Sequence, residues 1–278
     1  MDARSGAPHL SPVSDGRIAI IGRGRLGRGL AHALREAGAR VALFPARSTL
    51  PRPKRGEIAI VATPDPAIAA TAARLAERVD RGAIVLHCSG SLRPDVLAPC
   101  KQAGAFVGAM HPLVSFADPV RPPDLRGTSF VIAGDRTARG AARRLASLVG
   151  ARAVAKDVHG PAYHAAAALA ANGAAALAAV SVRVMRSLGL GQREAERAIG
   201  ALLRTVGENV ARVGVPRALS GPIVRGDAAT VRVHRAALAA RDRPARDAYD
   251  AVAPAILECA IDAGLGSEQA DAVRAALE

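Results

Sequence analysis

The chain has 278 residues, half of them hydrophobic, and a formal net charge of +14 at pH 7. This length allows two domains that each bury a core. Only three of the 38 basic residues are lysines, and the arginines are spread along the chain without a long block of like charges. Because two Tyr and four Phe leave few rings to stack on bases, the composition argues against a nucleic-acid partner.

The N-terminal residues 1–15 contain charged residues and prolines but no apolar segment of a secretory signal, so we expect a disordered tail. The most apolar stretch, residues 165–180, is too short and too rich in alanine for a bilayer span, and predicts a buried helix. Three isolated cysteines form no C-x-x-C pair, which excludes a metal knuckle or a disulfide framework: Cys88, Cys100 and Cys259. We therefore expect a cytoplasmic protein with no bound metal and no membrane partner.

Short apolar runs alternate with segments of helical periodicity in the first half of the chain, a pattern typical of a parallel sheet covered by helices. The predicted strands are residues 17–21, 40–44, 57–62, 83–87, 106–110 and 129–133, with a seventh at 151–155. The predicted helices between them are residues 26–37, 66–79, 93–103 and 137–149. After Pro161 the pattern is helical, over residues 162–188, 192–213, 228–240, 244–263 and 268–277. The sequence thus predicts an α/β fold, with a doubly wound parallel Rossmann sheet over residues 16–158 and an all-helical domain over residues 159–278.

A glycine-rich motif of the form G-x-G-x-x-G follows the first predicted strand directly and opens a predicted helix. In such a turn the first glycine permits the sharp bend, the second lets the backbone approach a pyrophosphate, and the third lets the helix pack closely on the sheet. The motif predicts a dinucleotide site formed by Gly22, Arg23, Gly24, Arg25, Leu26 and Gly27.

The end of the second predicted strand indicates which dinucleotide binds. Proteins specific for NAD place an acidic residue there for the ribose hydroxyls, but no Asp or Glu occurs between Glu36 and Glu57. Arg47 and Ser48 stand there instead, and a guanidinium with a hydroxyl suits a 2′-phosphate. We therefore expect NADP(H) rather than NAD(H), with Arg23 as a second positive group.

Polar residues follow the next strands at the edge where ligands bind in open parallel sheets. Thr63, Pro64 and Asp65 are expected beside the nicotinamide. Ser89 and His111 are candidates for orienting the reacting group, and His111 for donating a proton. Both also fit the structural alternative, in which strand-end side chains bond to neighbouring loops.

The helical half contributes polar residues in otherwise apolar surroundings. Tyr163, His164 and Asn172 lie on one predicted helix, and His164 and Asn172, eight positions apart, can line one groove. The structural alternatives are a surface position at the helix start for His164 and a packing role beside Gly173 for Asn172. Arg225 precedes a predicted helix start and could clamp an anion. Asp227 is a candidate either for the site or for the N-cap of that helix, and His234 follows on nearly the same face.

Together these motifs resemble a bacterial family of Rossmann-like proteins with a helical C-terminal domain of unassigned function. The residues that carry the resemblance are the glycine motif, Thr63-Pro64-Asp65, Cys88-Ser89-Gly90, His111-Pro112-Leu113, Tyr163-His164-Ala165-Ala166, Asn172 and Gly221-Pro222-Ile223-Val224-Arg225-Gly226-Asp227. The resemblance implies kinship with the 6-phosphogluconate dehydrogenase-like group, which includes ketopantoate reductase, pyrroline-5-carboxylate reductase and deazaflavin-dependent NADP reductases. It also implies a homodimer through the C-terminal helices.

One departure from that group concerns the proton donor. Where its 3-hydroxyacid dehydrogenases have a catalytic lysine, four residues before Asn172, this chain has Ala168, and no lysine follows Lys156. The hypothesis is therefore an NADP(H)-dependent oxidoreductase of a small oxo acid or imine in the interdomain cleft, with a different donor. The alternatives are a non-catalytic NADP(H)-binding sensor or adaptor and, from another class, a basic nucleic-acid binder.

Overall fold

The computed structural model describes residues 17–278. The tail predicted over residues 1–15 lies outside the described residues. The described chain divides into two compact units, the first ending at Ala167 and the second comprising Ala168–Glu278. The sequence placed this boundary between residues 158 and 159, just before the helix in which the structure divides the chain.

Unit 1 is a seven-stranded sheet in the order β2-β1-β3-β4-β5-β6-β7. Its strands are β1 (Ile18–Ile21), β2 (Val41–Phe44), β3 (Ile58–Val61), β4 (Ile84–His87), β5 (Phe106–Pro112), β6 (Ser129–Gly134) and β7 (Arg152–Ala155). Its helices include α1 (Arg25–Glu36), α2 (Asp65–Ala76), α3 (Ala98–Gln102), which follows a 3₁₀ turn at Pro94–Leu97, and α4 (Arg136–Leu148). Every residue of β1, β3 and β4 is buried, as the continuous apolar runs predict for strands covered on both faces.

The sheet is mostly parallel, as predicted, but one pair of neighbouring strands departs from this pattern. Strands β1 to β5 are parallel, but β6 pairs with β5 in antiparallel register, and β7 follows β6. The reason lies in residues 113–128, which contain no helix. A parallel pair needs a crossover across the sheet, usually a helix, whereas a connection that stays at one edge reverses the strand direction.

The helices cover both faces of the sheet with separate cores. Helices α1 and α4 pack on one face around Leu30 and Leu145. Helix α2 and the α3 segment pack on the other face around Leu75 and Cys100. Strand order reverses between β1 and β3, which places a ligand crevice at the carboxyl ends of these strands.

The remaining chain is helical, as predicted. It comprises α5 (Pro161–Ala168), a π-helical turn at Leu169–Gly173, α6 (Ala174–Ser187), α7 (Gln192–Val213), α8 (Ala228–Arg241), α9 (Arg243–Asp262) and α10 (Ser267–Leu277). In unit 2 the last three helices enclose a small core around Val231, Leu257 and Val273. Arg235 and Asp250 form a largely buried ion pair there, at 2.8 Å between Nε and Oδ1.

The prediction of a buried helix over residues 165–180 is wrong. The helix Pro161–Ser187 has 27 residues, and its most apolar window has a mean hydropathy of 1.7, yet only 6% of that window is buried. No residue of α5, the π-helical turn or α6 is fully buried. The apolar sequence predicted burial within the chain, but the fold leaves most of this apolar surface exposed among the described residues.

Candidate functional site

The glycine motif forms the turn between β1 and α1 that its sequence predicts. Gly22 has a φ of 123°, and a Cβ there would lie 2.4 Å from the Ala62 carbonyl oxygen. A Cβ at Gly27 would lie 2.1 Å from the Gly22 carbonyl oxygen. Both positions therefore require glycine for the close packing of α1 on the sheet.

The first turn of α1 is open to a ligand. Gly24 is its N-cap, no side chain caps it, and no acidic residue lies in its first turn. A Cβ at Gly24 would meet no atom within 4 Å, so the glycine keeps a cradle clear in front of the helix amides. Arg23 and Arg25 are exposed beside this cradle, while Leu26 packs against the core. This geometry fits a pyrophosphate.

The turn after β2 presents Arg47 on the surface, with no hydrogen bond recorded for its side chain among residues 17–278. The Ser48 hydroxyl donates to the Pro45 carbonyl oxygen at 2.8 Å, so it closes the turn and must rotate away to donate to a phosphate. Arg74 of α2 donates to the carbonyl oxygens of Ala46 and Ser48 at 2.6 and 2.8 Å. Arg74 is one of many arginines in the sequence, and its contact with this turn depends on the fold.

The ends of β3 and β4 are joined by a chain of hydroxyls and a carboxylate. Ser91 donates to the Asp65 carboxylate in a short hydrogen bond and also pairs with the Ser89 hydroxyl at 3.2 Å. The Ser89 oxygen accepts from the amides of Ser91 and Leu92, each at 3.1 Å. Ser89 is buried, so the geometry gives it the structural role in the loop. The Thr63 hydroxyl oxygen is buried without a hydrogen-bond partner, next to Pro64 at the start of α2.

His87 is held as a neutral imidazole. The Ser89 amide donates to its Nδ1, and its Nε2 lies 3.3 Å from the Arg93 carbonyl oxygen, which can only accept. The ring therefore carries its hydrogen on Nε2. Burial, reinforced by the nearby His159, lowers the pKa of His87 to about 4.

His111 and Tyr163 form the pair with the clearest chemical capacity. The Tyr163 hydroxyl lies 2.8 Å from Nδ1 of His111. Burial lowers the pKa of His111 to about 4 and raises the pKa of Tyr163 to about 12. Both groups are therefore neutral near pH 7 and share one hydrogen in their bond. Gly90 makes room for the imidazole, because a Cβ there would lie 2.8 Å from Cε1 of His111.

Two further histidines extend this pair into a row of rings. The exposed His164 packs edge-on against His111 at 6.0 Å between ring centroids. His159 is 3% exposed, lies 5.6 Å from the Tyr163 ring and 6.4 Å from the His87 ring, and neither of its nitrogens has a hydrogen-bond partner. Burial lowers its pKa. Sequence reasoning missed His159, whose place depends on the Gly160 amide donating to the Gly90 carbonyl at 3.1 Å. Across residues 17–278, no three His, Cys, Asp or Glu side chains are grouped to hold a metal ion.

The other predicted residues lie in unit 2. Asn172 is exposed in the π-helical turn. Asp227 caps α8 by accepting from the Thr230 amide at 3.0 Å and hydroxyl at 2.6 Å, which holds the pKa of its carboxyl below the usual range. Arg225 projects from the preceding turn into solvent, and His234 packs edge-on against Tyr249 at 6.1 Å. The capping alternative for Asp227 is thus confirmed.

The comparisons with known proteins agree with this architecture. Residues 51–112 match the model of a Rossmann-like domain, and residues 128–256 match the model described as a domain of unknown function, DUF2520. The chain thus combines these two kinds of domain, as its motifs predict. No curated protein matches it by sequence.

Solved structures share the fold over nearly the whole chain. A protein from Thermotoga maritima is 25% identical, with a TM-score of 0.63 over 88% of this chain and 99% of that one. A protein from Bacteroides fragilis, described as an NADP oxidoreductase, is 20% identical, with a TM-score of 0.71 over 88% and 99%. An imine reductase from Pseudomonas sp. is 18% identical, with a TM-score of 0.57 over 95% and 99%. At these identities the similarities establish the fold.

Proposed function

We propose that this protein is an NADP(H)-dependent oxidoreductase that reduces a small oxo acid or imine at the carboxyl edge of the unit 1 sheet. The observation that carries the proposal is the His111–Tyr163 pair, which stands at the same strand edge as the glycine motif. The solved structures described as an NADP oxidoreductase and an imine reductase support it through their common fold.

The residues around the glycine motif fit NADP(H). The amides at the start of α1 and the open space at Gly24 suit the pyrophosphate. Arg47, with Arg23 nearby, suits a 2′-phosphate, and the unpartnered Thr63 hydroxyl suits a hydrogen bond to the nicotinamide end. When bound, the reduced nicotinamide supplies a hydride to the substrate carbon.

The Tyr163 hydroxyl supplies the proton that a carbonyl oxygen or imine nitrogen needs when its carbon accepts a hydride. For this step Nδ1–H of His111 donates to the Tyr163 oxygen, which leaves the phenolic hydrogen free for the substrate. As that proton leaves, His111 passes its own to Tyr163 and takes a replacement at Nε2, so both groups end neutral. His164 connects the pair with solvent. In this proposal Tyr163 is the proton donor, in place of the catalytic lysine that the chain lacks.

The test is NADPH oxidation against a panel of oxo acids and cyclic imines. We expect saturable turnover that falls at least about a hundredfold in Tyr163→Phe and in His111→Ala, the scale of a lost general acid, while NADPH affinity is kept. Tight NADPH binding without turnover on any substrate would contradict the enzyme and favour a sensor. Binding of DNA or RNA with steep salt dependence would favour the nucleic-acid alternative.

We further propose a homodimer through the exposed apolar faces of the helical segment. Leu169 is 76% exposed on the apolar helix Pro161–Ser187, and α7 exposes a stripe at helical spacing: Leu202, Leu203, Val206 and Val210. Helix Pro161–Ser187 also carries Arg183 and Arg186, which favour a protein partner over a bilayer interior. Patches of this kind are rarely left bare.

Light scattering should give a dimer mass at micromolar concentration, and Leu202→Glu should shift it towards monomer. The matched control, Glu208→Gln on the same helix, should leave the mass unchanged. A monomer that binds lipid vesicles would contradict the dimer and assign the helix to a membrane surface.

A further inference from the structure

We propose that Arg74 is a positioning residue that sets the preference for NADPH over NADH by fixing the backbone of Arg47. The proposal rests on the proposed function, because it concerns the 2′-phosphate of the same cofactor. Arg74 itself lies on α2, away from the glycine motif in sequence.

The geometry singles out Arg74 among the arginines of this region. Its two terminal nitrogens donate to the carbonyl oxygens of Ala46 and Ser48, the residues on either side of Arg47. The planar guanidinium holds both carbonyls in one fork, a geometry that a lysine ammonium does not reproduce. The backbone is thus held by hydrogen bonds from Arg74 at the residue before Arg47 and at the residue after it.

The turn has little else to fix it. Its own hydrogen bonds are local: the Ser48 amide and hydroxyl donate to the Pro45 carbonyl oxygen at 3.2 and 2.8 Å, and the same hydroxyl lies 3.4 Å from the Thr49 carbonyl oxygen. Ala46 packs against the core on the α2 face of the sheet, but residues 46–49 carry no large apolar side chain that could anchor the turn. An exposed arginine on a loose turn loses conformational entropy when it binds a phosphate, and a turn held in advance reduces that loss.

A neighbouring arginine provides a contrast. Arg78, four residues after Arg74 and just beyond the end of α2, donates through Nε to the Leu50 carbonyl oxygen at 2.7 Å, outside the Arg47 turn. Arg74 therefore acts on Arg47, and Arg78 acts on the chain that follows. Comparing Arg74 with Arg78 therefore separates an effect on the Arg47 turn from a general effect of holding this segment against the α2 region.

The first measurement needs no cofactor. Hydrogen exchange of the apoprotein should show faster exchange over residues 45–50 in Arg74→Met than in the parent. Arg143→Met removes an equal charge from an exposed position on α4 and should leave this exchange unchanged. Unchanged exchange in Arg74→Met would overturn the proposal.

The second measurement is calorimetry with NADPH and with NADH. Arg74→Met should weaken NADPH binding about tenfold, the scale of one charge-assisted hydrogen bond, with NADH binding unchanged. Arg74→Lys should lose most of the preference, since it keeps the charge but not the fork. A full preference in Arg74→Lys would show that the charge alone acts and would overturn the positioning role.

A double variant separates positioning from direct contact. Arg47→Met should lower the NADPH preference without faster exchange, and adding Arg74→Met should lower it no further, because both act through one group. Additive losses would overturn the proposal. If the parent protein binds NADPH and NADH equally well, both the assignment of NADP(H) as the cofactor and the role of Arg74 in cofactor preference would be overturned. The exchange data would still show whether Arg74 holds the turn at residues 45–50.

Discussion

Gly90 leaves the space that the His111 ring occupies, and Gly90→Ala tests whether that placement matters. An added Cβ would lie 2.8 Å from Cε1 and 3.0 Å from each ring nitrogen of His111. Non-bonded carbon atoms settle about 3.5 to 4.0 Å apart, so the ring must move by about 0.7 Å or more. Gly90 does not have a positive φ, so the effect is steric rather than a strain on the backbone.

That displacement is large for the bond it disturbs. The Tyr163 hydroxyl lies 2.8 Å from Nδ1 of His111, and a shift of about 0.7 Å away from it would exceed the usual range of such bonds. Misplacement of this size costs roughly a hundredfold in rate. We therefore expect kcat to fall about that far in Gly90→Ala, with NADPH affinity unchanged because the glycine motif is untouched.

The matched control is Gly140→Ala on α4, where an added Cβ would meet only a guanidinium nitrogen of Arg144, at 3.6 Å. It should keep parental kinetics and gain stability of about 0.5 to 1 kcal/mol, as alanine does in helices. Steady-state kinetics and thermal unfolding measure both variants. A folded Gly90→Ala protein with parental kcat would refute the assignment of His111 to the proton donor.

Three further predictions concern other parts of the chain. Burial lowers the pKa of His87 to about 4, so unfolding takes up a proton between pH 6.5 and 4. Stability should be complete above pH 6.5 and fall below it, with His87 contributing about 1.4 kcal/mol per pH unit and His111, whose pKa is also lowered, adding to the fall. The fall should be shallower in His87→Gln by the His87 contribution. Urea unfolding near neutrality and at about pH 5 measures this, and a slope unchanged in the variant would count against it. Gly24→Ala should keep the parental melting temperature, because the added Cβ meets nothing within 4 Å. It should bind NADPH about tenfold more weakly, because the Cβ fills the space in front of the helix amides. An unchanged dissociation constant by calorimetry would show that the pyrophosphate does not bind there. Asp227→Ala should lower the melting temperature, because it removes the cap of α8. Arg225→Ala should leave the melting temperature unchanged and raise KM for an anionic substrate. A lowered melting temperature with an unchanged KM in Arg225→Ala would show that Arg225 is structural.

Local sequence signals predicted most of the fold. All seven strands and the helices of both units lie where apolar periodicity and glycine or proline breaks placed them, because these signals are local. The antiparallel direction of β6 was not predicted, because the sequence of a strand does not determine its direction in the sheet. The connection over residues 113–128, which contains no helix, determines this direction. The exposure of helix Pro161–Ser187 was also mispredicted, because the apolarity of a segment does not by itself decide whether the fold covers it.

The site was predictable where a motif carries its own geometry and not where distant segments meet. The glycine turn followed from its spacing. His111 was a candidate proton donor and Tyr163 stood only among the polar residues of the following helix, because the hydrogen bond between them joins residues 52 positions apart. His159 and Arg74 could not be predicted as site residues from the sequence. A lone histidine in a loop and one arginine among many show no pattern, and their roles follow only from the residues that they contact in the fold.

The decisive measurement is hydride transfer from NADPH that carries deuterium at both hydrogen positions of the nicotinamide C4, followed by mass spectrometry of the product. We expect that each NADPH consumed leaves one deuterium on the carbon of a reduced oxo acid or imine, and that Tyr163→Phe binds NADPH equally well but transfers deuteride at least about a hundredfold more slowly. NADPH that binds and is never consumed, or is consumed without deuterium in any product, would contradict the proposed function.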